Sequence, residues 1–289
     1  QVPIFIKNSN DQFILYKAEN TPVDKNLALG SELPDLYILQ SDKEAAIEES
    51  KAALNLELYH KLKAGGLVHV KEVMLKIVDE ALFDNSSQNF NQLPETIELL
   101  FKEYSQQNSL LLKLIHISKG DRDLVEHCTN VMFFVLNYCI YCNYSIDSTT
   151  EISLAGLLHD IGKTKLPANL CAIDHRLTDE EFVQYKTHTL IGHDILIENN
   201  SLLCSAAEAA LEHHERIDAS GYPRGITHIS PISQLIGLID SFEQLAYREK
   251  AYRRVKTPFD AMFKIKDEIL GEGKFSKETF KNFCKSLGE

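Results

Sequence analysis

Apolar residues recur at helical spacing through nearly the whole sequence from Glu95 to the C-terminus. This periodicity constrains the fold more than any other feature and predicts a mainly α protein. Helix start signals agree with it, for example Ser230, a capping residue, directly before Pro231 at the first helical position. The predicted helices are Glu95–Ser118, Asp121–Asn143, Glu151–Gly162, Asp179–Asn199, Leu202–Glu215, Pro231–Tyr247, Pro258–Leu270 and Ser276–Ser286.

The N-terminal residues follow a different pattern, with short strand-like runs before the first helices. The predicted strands are Pro3–Lys7, Phe13–Lys17 and Leu36–Leu39, and the predicted helices are Asp42–Lys63 and Leu67–Phe83. Asp84–Pro94 is rich in Asn, Gln and Ser, which is typical of a surface linker. We therefore predict a small α+β regulatory or interaction domain over residues 1–92, with its trailing linker, and a helical domain over residues 93–289.

The composition excludes several classes of function. A net charge of −12 argues against a protein that tracks along nucleic acid, which needs a basic surface. No apolar run reaches 18 residues, so no membrane span is expected, and the N-terminus lacks the pattern of a signal peptide. The six cysteines are scattered, and Cys139 and Cys142 fall in an apolar helical run, which favours buried thiols over zinc or redox chemistry. The expected location is therefore the cytoplasm.

Histidines and aspartates recur at core-facing or helix-end positions of five predicted helices. They are His127, His159, Asp160, His188, His213, His214 and Asp240. Taken singly, such a histidine is usually a hydrogen-bonded core residue, and such an aspartate belongs to a solvated face. The joint placement favours a metal site, because imidazole and carboxylate together suit iron, manganese or zinc. Lys163 follows Asp160 by three residues and therefore shares its helix face.

Two motifs resemble a known family. Leu158–Lys163 resembles the H-D-x-x-K signature of HD phosphohydrolases, and His213–Pro223 is similar to the extended H-H-E…D-G-x-G-Y-P motif of the HD-GYP branch. His127, His188 and Asp240 occur in the order that the family shows. The resemblance covers residues 121 to 254 and implies an all-helical HD-type metal-binding bundle, here preceded by the small α+β domain.

The resemblance also implies a ligand set for two divalent transition-metal ions, iron or manganese. One ion would be held by His127, His159, Asp160 and Asp240, and the other by Asp160, His188, His213 and His214. Asp160 would bridge the two ions, which grip a phosphate oxygen and activate a bridging water as the nucleophile. Lys163 would neutralise charge in the transition state or protonate the leaving oxygen. The catalytic residues are accordingly predicted to be Asp160 and Lys163.

The implied activity is hydrolysis of cyclic di-GMP to pGpG, with GMP as a further product. Substrate contacts are predicted for Lys163, Tyr222 and Arg253, although Gly221-Tyr222-Pro223 equally suits a purely structural turn. The implied partners are the small-molecule substrate and a protein such as a GGDEF-type domain, with no long nucleic acid and no membrane.

The sequence also departs from the family pattern. Asp123 stands where many relatives carry Glu, Ala219 replaces a usual Gly, and Lys250–Arg253 stands where relatives carry R-P-Y-R. The last change favours an alternative function, a weakly active or inactive metal-bound HD-GYP protein that senses nucleotides or docks a partner. A phosphohydrolase acting on another nucleotide, such as an alarmone or a dNTP, is disfavoured by the Gly221-Tyr222-Pro223 segment.

Overall fold

The structure, a computed structural model, describes residues 2–8, 11–20, 35–83, 90–117, 124–171, 176–199, 203–248 and 254–288. It divides into two compact units, Gln1–Glu57 and Leu58–Glu289. Among the described helices, none combines the length and the apolarity that crossing a bilayer requires.

The smaller unit contains an antiparallel hairpin. Its strands are β1 (Ile4–Lys7) and β2 (Phe13–Lys17), with Ile6 opposite Ile14. The third predicted strand is reduced to a single bridge, in which the backbones of Phe5 and Tyr37 exchange two hydrogen bonds of 2.8 Å. The helix that follows, α1 (Lys43–Ala64), begins one residue after its predicted start and continues past the unit boundary.

The larger unit is helical, which confirms the predicted fold class. Its helices are α2 (Leu67–Phe83), α3 (Leu93–Tyr104), α4 (Ser109–His116), α5 (Leu124–Tyr141), α6 (Ile146–Leu158), α7 (Ala168–Cys171), α8 (Asp179–Lys186), α9 (His188–Asn199), α10 (Cys204–Glu212), α11 (Pro231–Tyr247), α12 (Pro258–Gly271) and α13 (Lys277–Ser286). A 3-10 turn, Ile161–Lys165, follows α6.

Helix α5 is the centre of this unit. Every residue from Val125 to Cys139 is buried, as expected for a helix that is covered on all sides. Helices α2, α4, α6, α11 and α13 pack around it. An aromatic cluster joins α5 to α11 and α13, because the ring of Phe134 lies 5.4 Å from that of Phe242 and 5.9 Å from that of Phe283. The core therefore fixes α5 against α11, the two helices that carry His127 and Asp240.

Two predicted helices are each divided in the structure. The segment predicted as Glu95–Ser118 forms α3 and α4, and the segment predicted as Asp179–Asn199 forms α8 and α9. The second division has a local cause. The backbone N–H and the hydroxyl of Thr187 both donate to the Gln184 carbonyl, the group that a continuous helix would offer to the next residue.

The boundary between the compact units lies well before the predicted domain boundary at residues 92 and 93. Helix α2 accounts for the difference, because it buries Val70, Val73 and Met74 and packs against α4 and α5 within the larger unit. Part of the predicted linker is also structured. Phe90 is buried and Leu93 begins α3, whereas residues 84–89 lie outside the described part of the chain.

Candidate metal centre

Asp160 occupies the middle of the site. It follows His159 where α6 passes into the 3-10 turn, and neither residue has any solvent exposure. A carboxylate buried this completely requires compensation by cations or hydrogen-bond donors. The backbone of Asp160, with φ −105° and ψ 11°, lies outside the α-helical conformation at the point where α6 ends.

Four imidazoles surround the two carboxylate oxygens of Asp160. The Oδ2 atom faces Nε2 of His127 at 3.4 Å and Nε2 of His159 at 3.5 Å. The Oδ1 atom faces Nε2 of His188 at 3.4 Å and Nε2 of His213 at 3.5 Å. Each oxygen therefore has its own pair of histidines, and Asp160 is the residue that the two pairs share.

The other ring nitrogen of each histidine is held by an acceptor. Nδ1 of His159 donates to the Gly156 carbonyl at 2.8 Å, and Nδ1 of His188 donates to the Tyr185 carbonyl at 2.6 Å. Nδ1 of His213 donates to two carbonyls of α10 at 3.0 Å each. Nδ1 of His127 donates to the Glu243 carboxylate at 2.7 Å. These Nδ1 hydrogen bonds orient each ring so that its Nε2 atom faces Asp160, the arrangement typical of metal-ligating histidines.

Asp240 lies beside the pair formed by His127 and His159, and His214 lies beside the pair formed by His188 and His213. Oδ1 of Asp240, on α11, lies 3.1 Å from Nε2 of His127 and accepts a hydrogen bond from Gln244 at 2.7 Å. His214 is half-buried, and its ring stacks on Tyr222 with centroids 4.5 Å apart. One set of ligand atoms comes from His127, His159 and Asp160, and another from Asp160, His188, His213 and His214, each within 4.8 Å. The structure thus brings together all seven residues that the sequence singled out.

Burial and charge set the protonation of these groups. Burial lowers the pKa of His188 to about 3, and it also lowers the pKa of His213 and, strongly, that of His214. Burial alone would raise the pKa of Asp160, but the charges of Lys163 and His159 hold it well below its ordinary value. Neutral imidazoles therefore face an ionised carboxylate around Oδ1 of Asp160.

In the absence of metal, the surrounding carboxylates favour the protonated forms of His127 and Lys163. Burial opposes protonation of His127, but the carboxylates of Glu243, Asp160 and Asp240 raise its pKa to about 10. Burial likewise opposes the charge of Lys163, yet Asp160 raises its pKa above the ordinary lysine value. The Lys163 ammonium donates to Oδ2 of Asp160 and lies 5.2 Å from the centre of the Tyr185 ring.

The cluster is suited to divalent metal ions. Among the described residues, Oδ1 of Asp160 and Nε2 of His214 are buried atoms without a hydrogen-bond partner. Oδ1 of Asp160 faces imidazole nitrogens whose protons are on the opposite side of the ring, so acceptors face acceptors. Such an arrangement is costly unless a cation lies among the acceptors. The mixed nitrogen and oxygen donors match iron, manganese or zinc.

A cleft of about 490 Å³ opens beside His214 and Asp240. Its lining includes four cations, two aromatic rings and an acid, which are Lys186, Arg216, Lys264, Lys274, Phe182, Tyr222 and Glu268. Although the whole chain is acidic, this surface next to the cluster is rich in positive charge. It therefore suits an anion that also carries flat rings.

Two glutamates anchor the loop that carries Tyr222. The Glu215 carboxylate accepts hydrogen bonds from the backbone N–H of Arg224 at 2.7 Å and of Ile226 at 3.1 Å. Glu212 accepts from Ser230 N–H at 3.0 Å and pairs with the Arg224 guanidinium. The loop is therefore held in place by the protein alone.

Other residues named from the sequence have different positions. Ala219 adopts φ 65°, the left-handed conformation that the family's Gly would favour. Arg216 donates to the His213 carbonyl at 2.9 Å and also lines the cleft. Burial raises the pKa of the Cys139 and Cys142 thiols, in keeping with unreactive cysteines. Asp123, Lys250–Arg253 and thus the predicted substrate contact Arg253 lie outside the described residues.

The residues behind His127 were not predicted from the sequence. Glu243 holds Nδ1 of His127, and Asn130 in turn donates to Glu243 at 3.1 Å. Helical spacing could have indicated both, since Glu243 follows Asp240 by three residues and Asn130 follows His127 by three. Lys71, which donates to Asn130 at 2.6 Å, has no comparable signal because it is 59 residues away along the chain.

The chain is similar to one protein family and to several known proteins. Residues 112–270 match the HD domain family. A cyclic di-GMP phosphodiesterase of Thermotoga maritima is 33% identical over 237 residues, which are 80% of this chain and 61% of that protein. Another cyclic di-GMP phosphodiesterase, from Pseudomonas aeruginosa, is 28% identical over 180 residues, which are 62% of this chain and 42% of that protein. The chain thus spans roughly half the length of these relatives.

A solved structure shares the fold. It is an HDG"Y"P protein from Bdellovibrio bacteriovorus, with a TM-score of 0.67 at 16% identity, covering 100% of this chain and 94% of that one. The chain belongs to the HD domain family. Its H-H-E and G-Y-P motifs resemble those of the HD-GYP branch of that family.

Proposed function

We propose that this chain is a metal-dependent phosphodiesterase that hydrolyses cyclic di-GMP to pGpG, and pGpG onward to GMP. The observation that carries the proposal is the position of Asp160, whose two oxygens each face a separate pair of histidines. One carboxylate between two sets of nitrogen donors is the arrangement that a two-metal site for phosphate ester cleavage requires. The relatives, named as cyclic di-GMP phosphodiesterases, support this choice of substrate.

In this proposal the two ions are iron or manganese. The first would be held by His127, His159, Asp160 and Asp240, and the second by Asp160, His188, His213 and His214. When bound, the ions would supply Lewis acidity that acidifies the attacking water and withdraws charge from the phosphate. The protein's part is to hold the imidazoles in the correct tautomer, which the Nδ1 hydrogen bonds accomplish.

Lys163 supplies positive charge at the reacting phosphate. Its ammonium is buried, hydrogen-bonded to Asp160, and kept protonated by the raised pKa. A fixed cation at this position stabilises the negative charge that builds up on phosphate oxygens during the reaction. The raised pKa favours this electrostatic role over proton donation to the leaving oxygen, and Lys163 thus acts together with Asp160 as the catalytic pair.

The cleft would hold the rest of the dinucleotide. Cyclic di-GMP has two phosphates and two purine rings, and the cleft offers Lys186, Lys264 and Lys274 together with the ring of Tyr222. The Tyr222 ring lines the cleft and is already held against His214, so it needs no further ordering to contact a ligand there. We also assign the sequence-predicted contact of Arg253 to the substrate phosphates.

Turnover of cyclic di-GMP by purified protein of known metal content tests the proposal. We expect manganese- or iron-loaded protein to form pGpG, and protein stripped with a chelator to form none until metal is restored. Cyclic di-AMP serves as the control substrate. Loaded protein that binds metal but leaves cyclic di-GMP intact would contradict the proposal. If that protein still bound cyclic di-GMP, the result would support the sensor alternative, which the unusual Lys250–Arg253 segment favours.

A further inference from the structure

A buried chain of polar groups runs from helix α2 to the candidate metal centre. The Lys71 ammonium donates to Oδ1 of Asn130 at 2.6 Å, and Nδ2 of Asn130 donates to Oε1 of Glu243 at 3.1 Å. Oε2 of Glu243 accepts from Nδ1 of His127 at 2.7 Å. None of the four side chains is more than 1% exposed. Four residues from three helices thus form one connected path inside the core.

The chemistry of Lys71 fixes which group is the donor and which the acceptor in every hydrogen bond of this path. An ammonium group can only donate, so the Asn130 atom next to it must be the carbonyl oxygen. That choice turns the Asn130 amide nitrogen towards Glu243, which as a carboxylate can only accept. Glu243 then requires a proton on Nδ1 of His127, which leaves Nε2 facing Asp160 and Asp240.

Lys71 also compensates the negative charge of buried carboxylates. The path includes the buried carboxylate of Glu243, and two further carboxylates, Asp160 and Asp240, lie just beyond His127. Lys71 places a cation in the same low-dielectric interior, where its ammonium also lies 5.2 Å from the centre of the Phe133 ring. Burial of a lysine at this depth is unfavourable without such a role.

We propose that Lys71 is a positioning residue for the metal centre, acting through Asn130 and Glu243 to fix the orientation of His127. The inference rests on the proposed two-metal site and assigns it a support on α2, a helix outside residues 112–270 that match the HD domain family. Helix α2 is therefore part of the active unit. Displacement of α2 would reach His127 through these hydrogen bonds as well as through the packing of α2 against α5.

Two nearly isosteric variants test the path at separate points. Lys71→Met removes the cation and keeps the length of the side chain. Asn130→Asp keeps an acceptor for Lys71, so the buried lysine stays paired, but it places a carboxylate opposite Glu243. The matched control is Asn137→Asp, since Asn137 is equally buried two turns along α5 and donates instead to the Ser286 carbonyl at 2.8 Å.

The primary readout is the binding of Mn²⁺ to metal-free protein, measured by the electron paramagnetic resonance of the free ion. For both test variants we expect one ion to bind as in the parent and the other about 10- to 100-fold more weakly, the usual effect of losing a residue that supports a metal ligand. The control should bind both ions as the parent does, even if its melting temperature falls. Unchanged affinities in the test variants, or an equal loss in the control, would overturn the proposal.

A second readout separates this inference from the proposed function. In metal-free protein, the Nδ1 proton of His127 should give a far-downfield NMR resonance because it is held by a carboxylate. We expect Lys71→Met and Asn130→Asp to shift or broaden this resonance, and Asn137→Asp to leave it unchanged. A parent that binds no Mn²⁺ would refute the two-metal site, while the resonance would still report whether Lys71 acts on His127. An unaltered resonance in Lys71→Met would refute the positioning role.

Discussion

At the scale of single residues, Lys163 and Asp160 have separable roles although they are hydrogen-bonded to each other. Lys163→Ala should keep both metal ions and lower kcat on the order of a hundredfold or more with little change in KM, because its charge stabilises the transition state. Asp160→Ala should lose metal and activity together, since its carboxylate faces both sets of histidines. Steady-state kinetics and elemental analysis of the same preparations measure both effects.

Two results would count against these roles. Normal turnover of Lys163→Ala would reduce Lys163 to a cation that neutralises Asp160 in the fold. Loss of metal from Lys163→Ala would make it a support for the ligand set instead.

His188 should make the metal-free protein sensitive to acid. Its pKa is lowered by burial to about 3, so the unfolded chain takes up a proton near the ordinary value of 6.5 that the folded chain refuses. Stability should therefore fall as the pH is lowered from about 6.5 towards 3. His127, whose pKa is raised from 6.5 to about 10, has the opposite effect: its stabilisation is complete below pH 6.5 and is lost as the pH rises towards 10. The free energy of unfolding of His188→Gln, measured by urea denaturation between about pH 6.5 and 3, should depend less on pH than that of the parent.

The control for this experiment is His193→Gln. His193 lies on the same helix, is partly exposed, and pairs with Asp194 at 3.1 Å rather than with the cluster. The free energy of unfolding of His193→Gln should vary with pH as that of the parent does. An identical slope for His188→Gln and the parent would mean that His188 is not held neutral by burial.

At the scale of helices and turns, two close contacts set the spacing of the ligands. A Cβ at Gly162 would lie 2.0 Å from the His188 carbonyl oxygen, and a Cβ at Gly237 would lie 2.2 Å from the His213 carbonyl oxygen. Gly162→Ala and Gly237→Ala should each destabilise the protein by about 1–3 kcal/mol through overpacking. Both should also weaken metal binding, because the 3-10 turn or α11 must move away from a ligand.

Gly271→Ala supplies the comparison. In the described part of the chain, no atom lies within 4 Å of the Cβ that this change would add at the end of α12. Denaturation of all three variants should find the free energy of unfolding of Gly271→Ala within about 0.5 kcal/mol of that of the parent. Mn²⁺ titration should find its metal affinity unchanged. Equal effects at all three glycines would refute the spacing argument.

The sequence predicted which segments are helical better than it predicted where helices end. The break before α4 falls at Ser105–Asn108, which contains neither Gly nor Pro, and the break before α9 depends on a side-chain hydrogen bond of Thr187. The strongest signals were the spaced histidines and aspartates, since polar residues on apolar stripes require a reason. Their mutual arrangement needed tertiary structure, as His127 and Glu243 are 116 residues apart.

At the scale of the whole molecule, metal binding and stability should be coupled. We expect about two transition-metal ions per chain, and each should stabilise the fold by ~2.7 kcal/mol at a free concentration 100 times its Kd. Elemental analysis gives the content, and calorimetry with and without chelator gives the stabilisation. His213→Ala should lose the stabilisation that the second ion supplies, whereas His193→Ala should retain the stabilisation by both ions. A content below one ion per chain after reconstitution would contradict the two-metal site.

The long separation between His127 and Glu243 has a consequence for biosynthesis. A ribosome releases α5 and α6 well before α11, so the nascent chain carries His127, His159 and Asp160 while Glu243 and Asp240 are still unmade. Contacts between such distant segments form late in folding. Until then no acceptor fixes the His127 tautomer and the ligand set is incomplete. We therefore expect the ion held by His127 and Asp240 to be loaded after translation, from whichever ion the cell then supplies, rather than captured by the growing chain.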